Sequence, residues 1–174
     1  MSRPILQALP NILSISRIAL AAGFVATESS GVRLGLLGIA GLTDMLDGFL
    51  ARRVNAMTRW GALIDPVADR FFALAAIAAL LFDGLLTVPQ YFVLIMRDLA
   101  TAVGFLVARA LPMLRTVTFK ARWGGKGVTV LQFLALATAL VYRQALGPVL
   151  AILFVASVLS IGDYTLALWR ARRA

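Results

Sequence analysis

Four aspartates concentrated in one part of the chain carry its clearest chemical signal. Asp44, Asp47, Asp65 and Asp69 lie in a single window, whereas Asp and Glu together number only 8 in the 174 residues. The first two are three residues apart and the last two are four apart, so each pair would project from one face of a helix. Carboxylates in an apolar region must be protonated, paired with cations or bound to metal, because an isolated charge there is very costly.

Metal binding accounts best for this cluster. Oxygen-only ligand sets suit Mg²⁺, Mn²⁺ or Ca²⁺, and two such ions about 3.5 to 4 Å apart can activate a phosphoryl substrate. The alternative is a set of salt bridges with Arg52, Arg59 and Arg70, which explains the charges but not their matched spacing. The chain has 0 His and 0 Cys, so carboxylates are the remaining plausible metal ligands and bases.

Membrane-spanning helices are the elements predicted to position the aspartates. Hydrophobic residues make up 61% of the chain and charged residues 14%, with a mean hydropathy of +0.90, which is far from the composition of a soluble domain. At about 20 apolar residues per span, this length best fits six spans. The apolar stretches are 12–26, 34–52, 61–86, 91–111, 128–142 and 149–169. We therefore predict an all-α integral membrane protein, with residues 1–174 forming one six-helix catalytic domain.

Basic residues between the predicted spans indicate the orientation of the chain. They follow the second span, the fourth span and the last span, which predicts that both termini and the aspartates are cytoplasmic. Turn-forming segments at 27–31, 55–58, 87–90 and Gly124-Gly125 are expected to separate helices. Residues 112–127 are expected to form an interfacial loop or a short surface helix. Because membrane orientation accounts for the net charge of +9, we expect no nucleic-acid partner.

The connection between the second and third spans should bring the two aspartate pairs together. It is short, so these spans are expected to be antiparallel neighbours with all four carboxylates at a similar depth. Gly48 and Gly61 stand beside the acids, where a missing side chain would let a base or a phosphate approach the backbone. Close helix packing is the alternative role for these glycines.

The complete pattern resembles the signature of the CDP-alcohol phosphotransferase family. It reads Asp44-x-x-Asp47-Gly48-x-x-Ala51-Arg52, then eight residues, then Gly61-x-x-x-Asp65-x-x-x-Asp69, with every fixed position present. The resemblance implies a homodimer with the six-span fold of this family and two divalent cations, Mg²⁺ or Mn²⁺, held by the four aspartates. It also implies that Asp69 is the general base. By the same resemblance, the residues expected to contact the CDP-lipid are Gly48, Arg52, Thr58 and Gly61, and Pro10, Asn11, Ile12 and Leu13.

Three further segments resemble the branch of the family that contains phosphatidylglycerophosphate synthases and eukaryotic-type cardiolipin synthases. They are Pro10 to Arg17 (PNILSISR), the Arg97-Asp98 pair, and Lys126-x-x-Thr129-x-x-Gln132. This branch implies transfer of a phosphatidyl group from CDP-diacylglycerol to a glycerol-type alcohol, with release of CMP. Glycerol 3-phosphate ranks first because it is a frequent acceptor in the branch. Ala40-Gly41-Leu42-Thr43-Asp44 and Arg97-Asp98 lean slightly towards the alternative, a cardiolipin synthase that uses phosphatidylglycerol.

A cluster of basic residues would suit the phosphate of either acceptor. Its members are Arg97, Arg109, Arg115, Lys120 and Lys126. Each also has a structural alternative: Arg97 could pair with Asp98, and Lys126 could serve only to orient the chain. Thr129 and Gln132 could form hydrogen bonds between helices.

Two functions of another class are also compatible with acids and bases in a membrane protein. A divalent-cation transporter would place acids along an ion path, at several depths and on several spans. A structural subunit with a basic rim for anionic lipids would leave the paired aspartates without a purpose. The clustering of the four aspartates favours the enzyme over both.

Overall fold

A computed structural model of the chain describes the backbone of residues 16–50, 61–110 and 123–173. Side chains are described for residues 16–44, 70–104 and 127–163, and for Thr165, Leu166 and Trp169. Within these ranges the regular elements are α-helices and one short 3-10 helix, which confirms the all-α prediction for the described part. The chain divides into two compact units, Met1–Leu85 and Leu86–Ala174.

In the described part of the first unit, three helices have buried residues that follow helical spacing. They are α1 (Ser16–Ala26), α2 (Ser30–Leu50) and α3 (Gly61–Phe82). On α1 the buried residues are Arg17, Ala21 and Phe24. On α2 they include Arg33, Leu37 and Ala40. On α3 they include Phe72, Ala76, Ile77 and Leu80. The Phe24 and Phe72 rings meet edge to face with centroids 5.9 Å apart. Residues three or four apart share a helix face, so each stripe is one packing surface.

Helix α3 ends in a glycine turn that the hydropathy pattern did not reveal. The N–H of Gly84 donates to the Leu81 carbonyl at 3.0 Å, and the N–H of Leu85 donates to the Leu80 carbonyl at 2.9 Å. Gly84 has φ of 69°, in the left-handed region where a side chain is disfavoured. These bonds satisfy carbonyls at the helix end, a Schellman arrangement. The helix therefore stops at Phe82, four residues before the predicted boundary at residue 86.

The second unit contains α4 (Val88–Ala110), α5 (Trp123–Val141), a 3-10 turn (Arg143–Ala145) and α6 (Leu146–Arg173). Helix α6 packs against both α4 and α5. Its buried residues are Leu146, Leu150, Leu153, Ser157 and Ser160, spaced alternately by four and three. This spacing keeps one stripe of α6 against its neighbours along about four turns.

Several predicted boundaries differ from the helices observed. Helix α2 begins at Ser30 and α6 at Leu146, each a few residues before the apolar stretch that predicted it. Gly124-Gly125 was predicted to separate helices, but both glycines lie inside α5, which begins at Trp123. Residues 123–127 are thus helical and not part of a loop, whereas 111–122 lie outside the described residues. The reason is that intrahelical hydrogen bonds can continue through glycine, which lowers helix propensity by only about 1 kcal/mol.

Large apolar side chains are exposed on every described helix. On α6, Ile152, Phe154, Val155 and Leu159 all point away from the buried stripe. Among the described residues, one segment is both long enough and apolar enough to cross a membrane, and it is Arg143–Asp163. Three shorter apolar segments lie at Ser16–Ala26, Arg70–Phe82 and Gly127–Val141.

Candidate functional site

Helices α2 and α3 carry the two aspartate pairs, as the spacing predicted. Asp44 and Asp47 lie in the last two turns of α2, and Asp65 and Asp69 lie in the first three turns of α3. At about 100° per residue, the members of the first pair are about 60° apart around the helix and those of the second about 40°. Each pair therefore shares a helix face. Gly48 and Gly61 belong to the same helices, and Gly61 is the first residue of α3.

Asp44 is the member of this set whose side chain is described. It continues the α2 stripe of Arg33, Leu37 and Ala40, spaced by four, three and four residues, yet 40% of its side chain is exposed. Its Oδ1 atom lies 3.7 Å from the Nη2 atom of Arg17 on α1. Arg17 is 3% exposed, so a buried guanidinium faces a partly exposed carboxylate.

The ion pair between Arg17 and Asp44 was not anticipated from the sequence. The salt bridges considered there involved Arg52 and Arg59, which lie outside the described residues, and Arg70. One signal pointed to the observed pair: Arg17 is spaced four and seven residues before Ala21 and Phe24, which places a charge on the apolar face of a helix. A charge there needs a partner.

The other predicted residues for the metal and the CDP-lipid are described only in part. For Asp47, Asp65 and Asp69, the structure describes the helical backbone but not the side chains. Arg52, Thr58 and the segment Pro10, Asn11, Ile12 and Leu13 lie outside the described residues. Within the described side chains, no group of three or more acidic residues could hold a metal ion. Metal binding by all four aspartates, Asp44 included, and the CDP-lipid contacts therefore remain predictions.

A buried polar network connects α4 and α5 in the second unit. The Nε2 atom of Gln132 donates to the Leu94 carbonyl at 2.9 Å and to Oδ2 of Asp98 at 3.0 Å. Arg97 Nη1 lies 3.6 Å from Oδ1 of Asp98 and donates to Oγ1 of Thr129 at 3.4 Å. Arg97, Asp98 and Gln132 are all buried. The hydrogen bonds between helices that the sequence offered as one alternative for Thr129 and Gln132 are therefore present.

The structure describes only some residues of the basic cluster that was predicted to bind the acceptor. Arg97 has its side chain in the α4–α5 network, where it pairs with its neighbour Asp98. Arg109 and Lys126 lie on the described backbones of α4 and α5, whereas Arg115 and Lys120 lie outside the described residues. Contact of this cluster with an acceptor phosphate remains a prediction.

A second buried arginine joins the other ends of the first three helices. Arg33, near the start of α2, forms an ion pair with Asp83 just after α3. Its Nε atom donates to the Phe24 carbonyl at 3.1 Å, and its guanidinium carbon lies 5.2 Å from the centre of the Phe24 ring. Asp83 keeps 38% of its side chain exposed while this buried arginine holds it.

Comparison with known protein families finds a match that covers most of the chain. The model of the CDP-alcohol phosphatidyltransferase family matches residues 7–164, a range that includes both aspartate pairs and the α4–α5 network. The chain belongs to this family. The resemblance of the aspartate pattern is thereby confirmed at the level of the family.

Individual phosphatidyltransferases resemble different lengths of the chain. The cardiolipin synthase (CMP-forming) of Homo sapiens is 38% identical over 115 residues, which cover 63% of this chain and 38% of that protein. The CDP-diacylglycerol--glycerol-3-phosphate 3-phosphatidyltransferase of Aquifex aeolicus is 36% identical over 108 residues, 58% of this chain and 61% of that protein. The enzyme of the same name from Shigella flexneri is 32% identical over 168 residues, 88% of each chain. The match thus spans well under half of the human relative's length.

The ligand atoms that the aspartate pattern would supply fit a hard divalent cation. Mg²⁺ and Mn²⁺ favour carboxylate oxygens, and the sequence supplies two aspartates on α2 and two on α3. The described member, Asp44, is partly exposed and so remains open to a ligand. Divalent cations held by these aspartates would neutralise the charge of a bound phosphate group.

Proposed function

We propose that the chain transfers a phosphatidyl group from CDP-diacylglycerol to the hydroxyl of a glycerol-type alcohol and releases CMP. The observation that carries this proposal is the family match over residues 7–164, which encloses the complete aspartate pattern on α2 and α3. Relatives named for phosphatidyl transfer to glycerol 3-phosphate and for CMP-forming cardiolipin synthesis support the glycerol-type acceptor.

In this proposal the aspartates have two roles, which are metal binding and proton transfer. Asp69 removes the proton from the acceptor hydroxyl, and the resulting oxygen attacks the lipid-side phosphorus of CDP-diacylglycerol. The bond between that phosphorus and the bridging oxygen breaks, and CMP leaves with that oxygen. Two Mg²⁺ or Mn²⁺ ions, held by Asp44, Asp47, Asp65 and Asp69, would neutralise the pyrophosphate and make CMP a better leaving group.

Other residues of the signature hold the CDP-lipid in this proposal. Gly48 and Gly61 leave room for the cytidine or pyrophosphate beside the helix backbone, and Arg52 grips a phosphate with its planar guanidinium. Thr58 adds a hydroxyl contact, and the segment 10–13 lies against the lipid. Arg97 and the other members of the basic cluster hold the phosphate of the acceptor.

The first acceptor we propose is glycerol 3-phosphate, which gives phosphatidylglycerol phosphate. The Shigella flexneri relative, named for this acceptor, matches 88% of both chains, so its similarity covers nearly the whole fold. Phosphatidylglycerol is the second candidate. It is favoured by the human and rat cardiolipin synthases, which are 38% and 39% identical over 115 residues.

A membrane location follows from the same proposal. Six spanning helices would account for the apolar side chains exposed around the described helices, since lipid tails would cover them. The basic residues at 170–173 and after the second and fourth spans would keep both termini and the aspartates on the cytoplasmic side. We propose that the enzyme works there as a homodimer.

Product analysis separates the two acceptors. The purified full-length chain in detergent would receive CDP-diacylglycerol and Mg²⁺ or Mn²⁺, with glycerol 3-phosphate or phosphatidylglycerol in parallel reactions. Formation of phosphatidylglycerol phosphate from glycerol 3-phosphate supports the first acceptor. Formation of cardiolipin from phosphatidylglycerol, with no product from glycerol 3-phosphate, supports the second. No lipid product with either alcohol would contradict the proposed function.

A further inference from the structure

Arg17 occupies a position where a charge requires a specific reason. It is 3% exposed and shares the packing face of α1 with Ala21 and Phe24. Removing a guanidinium from water is unfavourable unless close opposite charge and good hydrogen bonding offset the lost hydration. Arginine also stays protonated in proteins, so it cannot reduce this cost by becoming neutral.

One partner of Arg17 is Asp44, the first aspartate of the family pattern. Their closest atoms are 3.7 Å apart, beyond the 2.7–3.2 Å typical of an N–H···O hydrogen bond, so the contact is ionic. Asp44 keeps 40% of its side chain exposed. The guanidinium therefore covers one side of the carboxylate while leaving part of it accessible.

We propose that Arg17 is a positioning residue that holds Asp44 ready to bind a divalent cation. This inference rests on the proposed function, because it takes Asp44 to be a metal ligand. A guanidinium has no acceptor atom and cannot bind the cation itself. It acts by restricting the rotation of the Asp44 carboxylate, which lies 3.7 Å from the guanidinium. Groups that orient a ligating carboxylate in this way are worth about 10- to 100-fold in metal affinity or activity.

The chain supplies a matched control for this role. Arg33 has the same 3% exposure, lies in the same unit and also pairs with an aspartate. Its partner, Asp83, is not part of the aspartate pattern. A purely structural buried ion pair would be equally damaging to lose at either position, whereas a positioning role is specific to Arg17.

Direct measurement of Mn²⁺ binding tests the inference without relying on turnover. Free Mn²⁺ would be followed by electron paramagnetic resonance with the purified full-length chain in detergent, as wild type, Arg17→Gln and Arg33→Gln. We expect Arg17→Gln to raise the Kd for Mn²⁺ about 10- to 100-fold. Arg33→Gln should leave it within about twofold, as for a distant independent site, although both variants lower the melting temperature.

Arg17→Lys keeps the inference testable if Arg17→Gln does not fold. Lysine preserves the charge but lacks the planar fork, so the Kd should rise by less than in Arg17→Gln and still exceed that of wild type. Wild-type affinity in a folded Arg17 variant, or equal weakening by Arg33→Gln, would overturn the inference and leave the proposed function intact. A wild-type chain that binds no Mn²⁺ would overturn both this inference and the aspartate metal site.

Discussion

At the scale of single residues, the four aspartates are chemically alike but are expected to differ in role. Asp44 and Asp47 on α2 and Asp65 on α3 are proposed to serve as ligands alone. Asp69 is proposed to serve also as the base. Substitution by asparagine separates these roles. The amide keeps the size of the side chain and an oxygen that can bind a metal, but it cannot take the proton from the alcohol substrate.

Asp69→Asn is therefore expected to retain binding of CDP-diacylglycerol and to lose turnover. Loss of a general base typically costs about 10²- to 10⁴-fold in rate. Binding would be measured with a CDP-diacylglycerol analogue, and CMP release would be followed in a single turnover. Asp163→Asn, an exposed position on α6 outside the pattern, is the control and should remain active. Near-normal turnover in Asp69→Asn would remove Asp69 from the role of base.

The residue types and spacing revealed these four aspartates, but they could not reveal what surrounds them. Arg17 is separated from Asp44 along the chain, and their contact depends on how α1 packs against α2. The periodic position of Arg17 showed only that it needed a partner. The identity of that partner depends on the three-dimensional register of the two helices.

At the scale of secondary structure, Gln132 is the clearest link between two helices. Its side-chain amide donates both to the Leu94 backbone and to Asp98, so one residue of α5 fixes two positions of α4. Thr138, six residues further along α5, donates instead to the Leu134 carbonyl of its own helix. These two residues distinguish a bond between helices from a bond within one.

We expect Gln132→Leu to destabilise the fold by about 1–2 kcal/mol, because it leaves a buried carboxylate and a carbonyl without this donor. Thr138→Val should change the free energy of unfolding much less. Unfolding by denaturant in detergent micelles would compare both variants with wild type. Equal stability of Gln132→Leu and Thr138→Val would show that the α4–α5 hydrogen bonds contribute nothing specific.

Hydropathy predicted that these helices exist but placed several of their ends wrongly. Apolar runs indicate where a helix is buried or faces lipid, whereas helix ends depend on backbone hydrogen bonds. The turn at Gly84 ended α3 inside an apolar run, and α5 continued through Gly124-Gly125, where a break was expected. A glycine permits both outcomes, so local sequence alone does not choose between them.

At the scale of the whole molecule, the distribution of basic residues predicts the orientation of the chain in the membrane. Arg170, Arg172 and Arg173 near the end of the chain favour a cytoplasmic C-terminus. The connections after α1 and α5 would then lie on the opposite side. Ser29 and Gln144 are exposed in these two connections.

Cysteine labelling tests this orientation with little background, because the chain has 0 Cys. In right-side-out membrane vesicles, Ser29→Cys and Gln144→Cys should react with a membrane-impermeant maleimide. Ala174→Cys should react only after the vesicles are opened. Labelling of Ala174→Cys in sealed vesicles would contradict a cytoplasmic C-terminus, and the wild-type chain measures any nonspecific reaction.

Composition predicted an all-α chain, the resemblance of the aspartate pattern predicted the family, and the match over residues 7–164 confirmed the family. The acceptor is harder to predict because both candidate alcohols present a hydroxyl and a phosphate. They differ in size, because phosphatidylglycerol carries two acyl chains and glycerol 3-phosphate carries none. If Arg97 and its neighbours bind the acceptor as proposed, the choice would depend on packing around them, which the aspartate pattern does not encode.

Release of CMP is the most direct test of the central claim. The purified chain would be assayed with CDP-diacylglycerol, Mg²⁺ or Mn²⁺, and a glycerol-type alcohol, with Asp47→Ala beside the wild type. We predict CMP release that requires all three components and is lost in Asp47→Ala. No CMP with any alcohol, or equal release by Asp47→Ala, would contradict phosphatidyl transfer at the aspartates of α2 and α3.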